Sequence, residues 1–235
     1  MSGLFRNLSD KEYGSISSRI LYEDNHILIF DKMPGEIVQG DKTGDEPLTE
    51  KLKAFIAQRD NKPGNVYIGI PHRIDRPVSG IVIFAKTSKA LERISNGFKN
   101  GLIHKTYLAL TSKAPDPPEG EIRSYIKRNE KINKSFSFQR PEPGTKEAIL
   151  RYRLVENTRN YFIVEVELLT GRHHQIRCQL ASIGCPIKGD LKYGAKRPNP
   201  DKSISLHAYR VEFVHPVKKE KMVFTVPHRF FGPTV

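Results

Sequence analysis

The segment Pro71-His72-Arg73-Ile74-Asp75-Arg76-Pro77-Val78-Ser79-Gly80 sets one carboxylate between two arginines, directly ahead of the apolar run Ile81-Val82-Ile83-Phe84-Ala85. That run is short, rich in β-branched residues and free of polar alternation, so it predicts a buried strand. The flanking arginines favour the ionised form of Asp75. An ionised carboxylate among cations can act as a nucleophile toward a substrate that the same cations attract. The same ten residues also suit an arginine-rich turn with a structural ion pair, because such pairs perturb pKa values too.

The remaining chain narrows the choice. A length of 235 residues suits one large domain or two closely packed subdomains. The formal net charge is +13, which implies an acidic polymer as partner. Charges of both signs are interspersed, which excludes a disordered basic tail. With two cysteines, Cys178 and Cys185, a disulfide scaffold is not expected, and a reducing compartment is. The N-terminus has no long apolar core of a leader, and no segment has the apolar length to span a bilayer. The expectation is a soluble, cytoplasmic protein that acts as a monomer away from membranes.

Periodicity outlines the elements. Ile20-Leu21-Tyr22 and His26 to Phe30 flank a turn-like Glu23-Asp24-Asn25, which predicts a hairpin. Leu48, Leu52, Phe55 and Ile56 predict a helix to about Arg59, and Leu91, Ile94 and Phe98 predict another ending near Gly101. A strand is expected over His104 to Leu110 and a loop or subdomain break over 111–120. The basic, aromatic stretch Ile122 to Gln139 has strand-like alternation around Phe136 and Phe138. A second hairpin is expected from Ala148 to Val155 and Tyr161 to Leu168. Ile176, Leu180 and Ile183 give a helix stopped by Gly184. Two late strands, Ser205 to Val214 and Lys221 to Val226, follow. The class is α+β with a mixed, largely antiparallel sheet, flanking helices and loops. Residues 1–19 read as an N-terminal extension and 20–235 as the catalytic domain.

Four groups carry chemistry: Asp75 with His72, Arg73 and Arg76; Lys105-Thr106-Tyr107; Gly171-Arg172-His173-His174-Gln175-Ile176-Arg177; and Gly184-Cys185-Pro186-Ile187-Lys188-Gly189-Asp190 followed by Tyr193-Gly194. Together they resemble the RluA-type pseudouridine synthases. That family carries His-Arg-Leu-Asp-Arg-x-x-Ser-Gly, matched from His72 to Gly80 with Ile74 for Leu. Its Lys-x-Tyr is matched by Lys105 and Tyr107. Its Thr-Gly-Arg-x-His-Gln-Ile-Arg is matched from Thr170 to Arg177, and its Gly-x-Pro-Ile-x-Gly-Asp-x-x-Tyr-Gly from Gly184 to Gly194. Order and spacing agree over about Ile20 to Val226.

The resemblance implies isomerisation of uridine to pseudouridine within ribosomal or transfer RNA, without cofactor or metal, on a pseudouridine synthase fold with its cleft across the sheet. It implies Asp75 as nucleophile, Tyr107 stacked on the target base, Arg177 paired with the catalytic carboxylate, and Arg73 beside the displaced base. His72, Arg76, Lys105, Arg172, His174, Lys127 and Arg128 are the candidate RNA contacts. Physical chemistry is compatible with this. The uridine must leave its stack to be reached, and an aromatic platform receives it. Glycoside hydrolases pair two carboxylates, whereas here one carboxylate lies among arginines. The chain departs from the family at Pro77-Val78, at Gln179 and at Asp31-Lys32-Met33-Pro34-Gly35. No small RNA-binding domain is expected before the catalytic pattern.

Other readings of the same residues compete. His173, His174, Cys178 and Cys185 lack the paired spacing of a zinc site. Asp190 reads as a loop cap. His72 can serve by shaping its loop, and Lys127, Arg128, Lys131 and Lys134 can form a solvated face. A non-catalytic RNA-binding module on the same fold, or a nucleoside glycosidase, is the rival class.

Overall fold

The computed structural model describes residues 5–41 and 43–231. It divides into two compact units, one running through Ile103 with Phe213–Phe224, the other comprising His104–Glu212 with the chain from Thr225. The stretch 111–120 lies inside the second unit.

The first unit contains α1 (Asp10–Ser17), β1 (Ile20–Glu23), β2 (Ile27–Lys32), α2 (Leu48–Arg59), β3 (Ser79–Ala85) and α3 (Ser88–Lys99). β2 pairs antiparallel with β1 and with β3, opposing Ile29 to Ile83 and Phe30 to Val82. Every residue of β2 and β3 is buried. Both faces are covered, which is why β3 reads as a continuous apolar run rather than an alternating one. The β1–β2 turn is closed by Asp24, whose carboxylate accepts the N–H groups of His26 at 2.8 Å and Ile27 at 3.0 Å. In α3, the side chain of Thr87 caps the first turn by accepting the Ala90 N–H at 3.1 Å.

α1 falls within the segment expected to be an extension. Its start is a capping box: Ser9 Oγ accepts the Glu12 N–H, and the Glu12 carboxylate returns to the Ser9 N–H at 3.1 Å. Tyr13 packs on Phe55 of α2 with ring centroids 4.7 Å apart.

The second unit is an antiparallel sheet in the order β9-β4-β8-β7-β5-β6. Its strands are β4 (His104–Thr111), β5 (Glu119–Asn129), β6 (Lys134–Phe138), β7 (Lys146–Asn157), β8 (Phe162–Leu168) and β9 (Leu206–Val214, to Glu212 in this unit); β10 spans Lys221–Thr225. The uncertain stretch after Ile122 is therefore a hairpin, with Lys127 opposite Phe136 and Arg128 opposite Ser135. β5 and β7 alternate between buried and exposed, so one sheet face is covered. The cover is α4 (Gln175–Ser182), whose Gln179 reaches Ile122 O at 3.2 Å, Ser124 Oγ at 2.9 Å and Ala148 O at 3.0 Å. Leu180 and Ile176 of α4 are buried, and each fully buried aliphatic side chain contributes about 1.5–3 kcal/mol. Among the described residues no helix is long and apolar enough to cross a membrane.

Candidate active site

Asp75, His72, Arg73 and Arg76 belong to the first unit. Lys105, Tyr107, Lys127, Arg128, Arg172, His174 and Arg177 belong to the second.

In the first unit the loop before β3 is braced from behind. Lys32 ends β2 and is wholly buried. Its Nζ donates to Met33 O at 2.9 Å, Arg76 O at 3.1 Å and Val78 O at 2.7 Å, using all its protons on backbone carbonyls. Burial pushes the Lys32 ammonium down to about 7, against a pull upward from Glu36 and Asp75. The Gly35 N–H adds a bond to Arg76 O at 2.8 Å, and the Val78 N–H closes a turn on Asp75 O at 3.0 Å. From the other side His72 Nε2 accepts the Ile83 N–H at 2.9 Å while its ring packs on Phe98 at 4.5 Å. His72 therefore ties the loop to β3. Arg73 is exposed and reaches Gln39 Oε1 at 3.2 Å. Arg76 is exposed and pairs with Asp45 at 2.6 Å.

In the second unit Tyr107 lies mid-strand in β4, 5% exposed, with the Lys105 ammonium 5.8 Å from its ring centroid. Burial holds the Lys105 ammonium down to about 8. Strand register places Tyr107, through Val166, Tyr152 and Gly120, on the α4 face of the sheet. Arg128 has the same parity, opposite Ser135, but Lys127 has the other and points to the back face, where its Nζ meets Pro143 O at 2.9 Å. That back face is charge-balanced: Arg123, Arg151 and Arg153 pair with Glu121, Glu147, Glu165 and Glu167.

Arg177 projects from α4 into a buried bidentate pair. Its Nε and Nη2 donate to the two oxygens of Asp190 at 2.7 and 2.9 Å, and the two side chains are 7% and 1% exposed. Asp190 is thus an anchor for a guanidinium; its side chain makes no capping bond to the following turn, contrary to the expected loop cap. Gly189, just before Asp190, lets the chain pass close to Ser203 and Asn199. Its φ is +86°, and a Cβ there would stand 2.7 Å from Ser203 O. Tyr193 covers the pair, with Arg177 Cζ 5.0 Å from its ring centroid. The sequence reading left Tyr193 without a role; its position three residues after Asp190 in the last segment was the available signal. His174 starts α4 in the left-handed region at φ 52° and bonds Tyr193 through Nδ1 at 2.9 Å. His173 stacks on it at 3.8 Å. The Arg172 guanidinium donates to Glu147 O at 2.8 Å.

The RNA pseudouridylate synthase family matches residues 26–182, about two thirds of the chain and all of the segments from His72 to Arg177. This chain belongs to that family. The synthase is 32% identical to the uncharacterized RNA pseudouridine synthase YlyB of Bacillus subtilis, over 88% of this chain and 68% of the relative. It is 29% identical to the ribosomal large subunit pseudouridine synthase C of Buchnera aphidicola, over 93% of this chain and 70% of that one. Its fold matches the solved human RNA pseudouridylate synthase domain containing 4 with a TM-score of 0.77 at 20% identity, covering 93% and 92% of the two chains. The activity is therefore isomerisation of uridine to pseudouridine in RNA, and the expected α+β class agrees with the family's structures.

Proposed function

We propose that this synthase modifies specific uridines of ribosomal RNA, with Asp75 as its nucleophile. The ribosomal substrate follows relatives named for the large subunit; transfer RNA is the other substrate class that the sequence reading admits. The observation that supports Asp75 is its loop: a buried cation and a histidine hold the backbone on both sides of Asp75, which is itself half-buried. Such bracing is what a reacting group needs to meet its target in one orientation.

The reaction breaks the C1′–N1 bond, forms C1′–C5, and moves the C5 proton off the base while N1 gains one. No water enters and no redox change occurs. Asp75 assists by adding to the base, attacking the sugar or supporting a glycal. Tyr107 stacks on the flipped base, Arg177 acts with them, and Arg73 lies beside the displaced base. Lys105, Arg128, Arg172 and His174 supply RNA contacts on the α4 side, with His72 and Arg76 on the Asp75 loop. Lys127, on the back face, contacts RNA flanking the target. The site works in the cytoplasm, as a monomer, within a catalytic domain from residue 20 onward, with no metal or cofactor.

The test is RNA carrying tritium at uridine C5, taken from cells lacking the protein. Wild-type protein should release tritium and create new pseudouridines at defined sites in ribosomal RNA. Asp75→Asn should lower release by about a thousandfold or more while RNA affinity stays within about threefold. Full turnover by Asp75→Asn would remove its role. Free uracil would point to a glycosidase, and RNA binding without any tritium release to a non-catalytic module.

A further inference from the structure

Tyr193 joins three parts of the second unit that the reaction needs in register. Its hydroxyl accepts the Ser135 N–H at 2.8 Å, a backbone donor on β6, the outermost strand of the sheet. The hydroxyl also hydrogen-bonds His174 Nδ1, 2.9 Å away, at the first position before α4. Its ring lies against the Arg177 guanidinium at 5.0 Å and against the Lys134 ammonium at 5.3 Å. Its own N–H donates to Asp190 O at 3.0 Å, and Asp190 holds Arg177. Ser135 closes the circuit: its Oγ meets His173 Nδ1 and His173 O, both at 2.8 Å.

The hairpin at the far end of this circuit carries Arg128, Lys131 and Lys134, with Ile132 and Phe136 exposed. Cations on an exposed two-stranded ribbon at the sheet edge suit an RNA backbone. An edge strand presents a row of unpaired backbone groups that proteins cover or blunt. At Ser135 that cover is Tyr193. A shift of β6 therefore reaches the start of α4 and the guanidinium of Arg177 through one side chain.

We propose that Tyr193 is a positioning residue that makes the placement of Arg177 depend on the basic β5–β6 hairpin, so that RNA held by the hairpin sets the guanidinium for reaction. This rests on the role of Arg177 given above. Burial keeps the phenol neutral, with its pKa pushed up to about 12, so it stays protonated under assay conditions.

Tyr193→Phe keeps the ring on Arg177 and removes both hydroxyl bonds. Under single turnover it should slow tritium release about tenfold, with RNA affinity changed by less than about twofold. Arg177→Ala, assayed alongside, should slow release by about a hundredfold or more. If Arg177→Ala is slow but Tyr193→Phe runs at the wild-type rate, the inference about Tyr193 falls and the reading of Arg177 stands. If Arg177→Ala itself runs at the wild-type rate, both fall. A second measurement needs no variant. Amide exchange at Ser135 in the wild-type protein should be at least about a hundredfold slower than in an unstructured peptide, and slower still with RNA containing 5-fluorouridine. Exchange at the peptide rate, or no response to that RNA, would overturn the proposal even if Tyr193→Phe does not fold.

Discussion

Lys32 in the first unit and Asp190 in the second are both buried charges beside a residue expected to react, yet they grip different things. Lys32 spends its protons on carbonyls of residues 33, 76 and 78, and so holds a stretch of backbone. Asp190 spends its oxygens on the guanidinium of Arg177, and so holds one side chain. The difference follows from what each neighbour requires. A carboxylate on a short side chain is aimed by its main chain, so fixing the loop fixes Asp75. An arginine has a long side chain with high rotamer entropy, so its tip must be fixed directly.

The two arrangements should fail differently. Asp190→Asn removes the charge of the carboxylate that binds the buried guanidinium twice, and loss of one partner of such a pair costs about 3–5 kcal/mol. Urea unfolding should show that loss, with turnover falling in parallel because the bidentate grip on Arg177 is weakened. A stability change below about 1 kcal/mol would mean that Asp190 is not its anchor.

Lys32→Met should cost less stability, because an ammonium bonded only to carbonyls carries a large desolvation penalty that the methionine avoids. Its effect should fall on rate, about tenfold at unchanged RNA affinity, since the Asp75 loop loses three bonds. A pH signature separates it further. The folded pKa of about 7 lies below the ordinary lysine value of 10.5. Above about 7 the unfolded chain thus holds this proton when the folded chain does not, and stability gains from rising pH until the unfolded group also loses it. Unfolding at about pH 7 and about pH 9 should show that rise in the wild type, and Lys32→Met should have less of it. An unchanged slope would break the contrast between a buried cation on backbone and a buried anion on a cation.

The smallest effect is expected at Arg76, where the side chain is 44% exposed and its pair with Asp45 is solvated. Arg76→Ala should weaken RNA binding about threefold and lower the salt slope by about one, with single-turnover rate nearly unchanged. A rate loss as large as that of Lys32→Met would move Arg76 from RNA holding to the reaction.

Local patterns carried much of the architecture. The apolar repeat of Leu48, Leu52, Phe55 and Ile56 matches α2, and the unbroken run before Lys86 matches β3, because burial selects residues at the spacing of the element itself. α1 escaped notice because its apolar stripe is thin, with Ile16 its one buried residue, although Ser9-Asp10-Lys11-Glu12 spells a capping box. The basic hairpin was ambiguous because β6 is an edge strand whose exposed face carries Phe136, so its alternation does not separate inside from outside. Of the site, the short segments named Arg177 and Asp75, but not what holds them. Lys32 falls in a short segment where the chain departs from the family, and Asp190 reads as a loop cap, until distant chain segments return to them.

The order of amino acids alone determined most of the elements, the cationic character and the four segments that mark the family, since each is set by neighbours within a few positions. Only the tertiary structure decided which charges meet. Lys32 finds its carbonyls 44 and 46 positions away, and Tyr193 finds Ser135 58 positions away. Those partners come together because β2 and β3 are paired in one unit and α4 lies on the sheet of the other, and no local pattern encodes that closure.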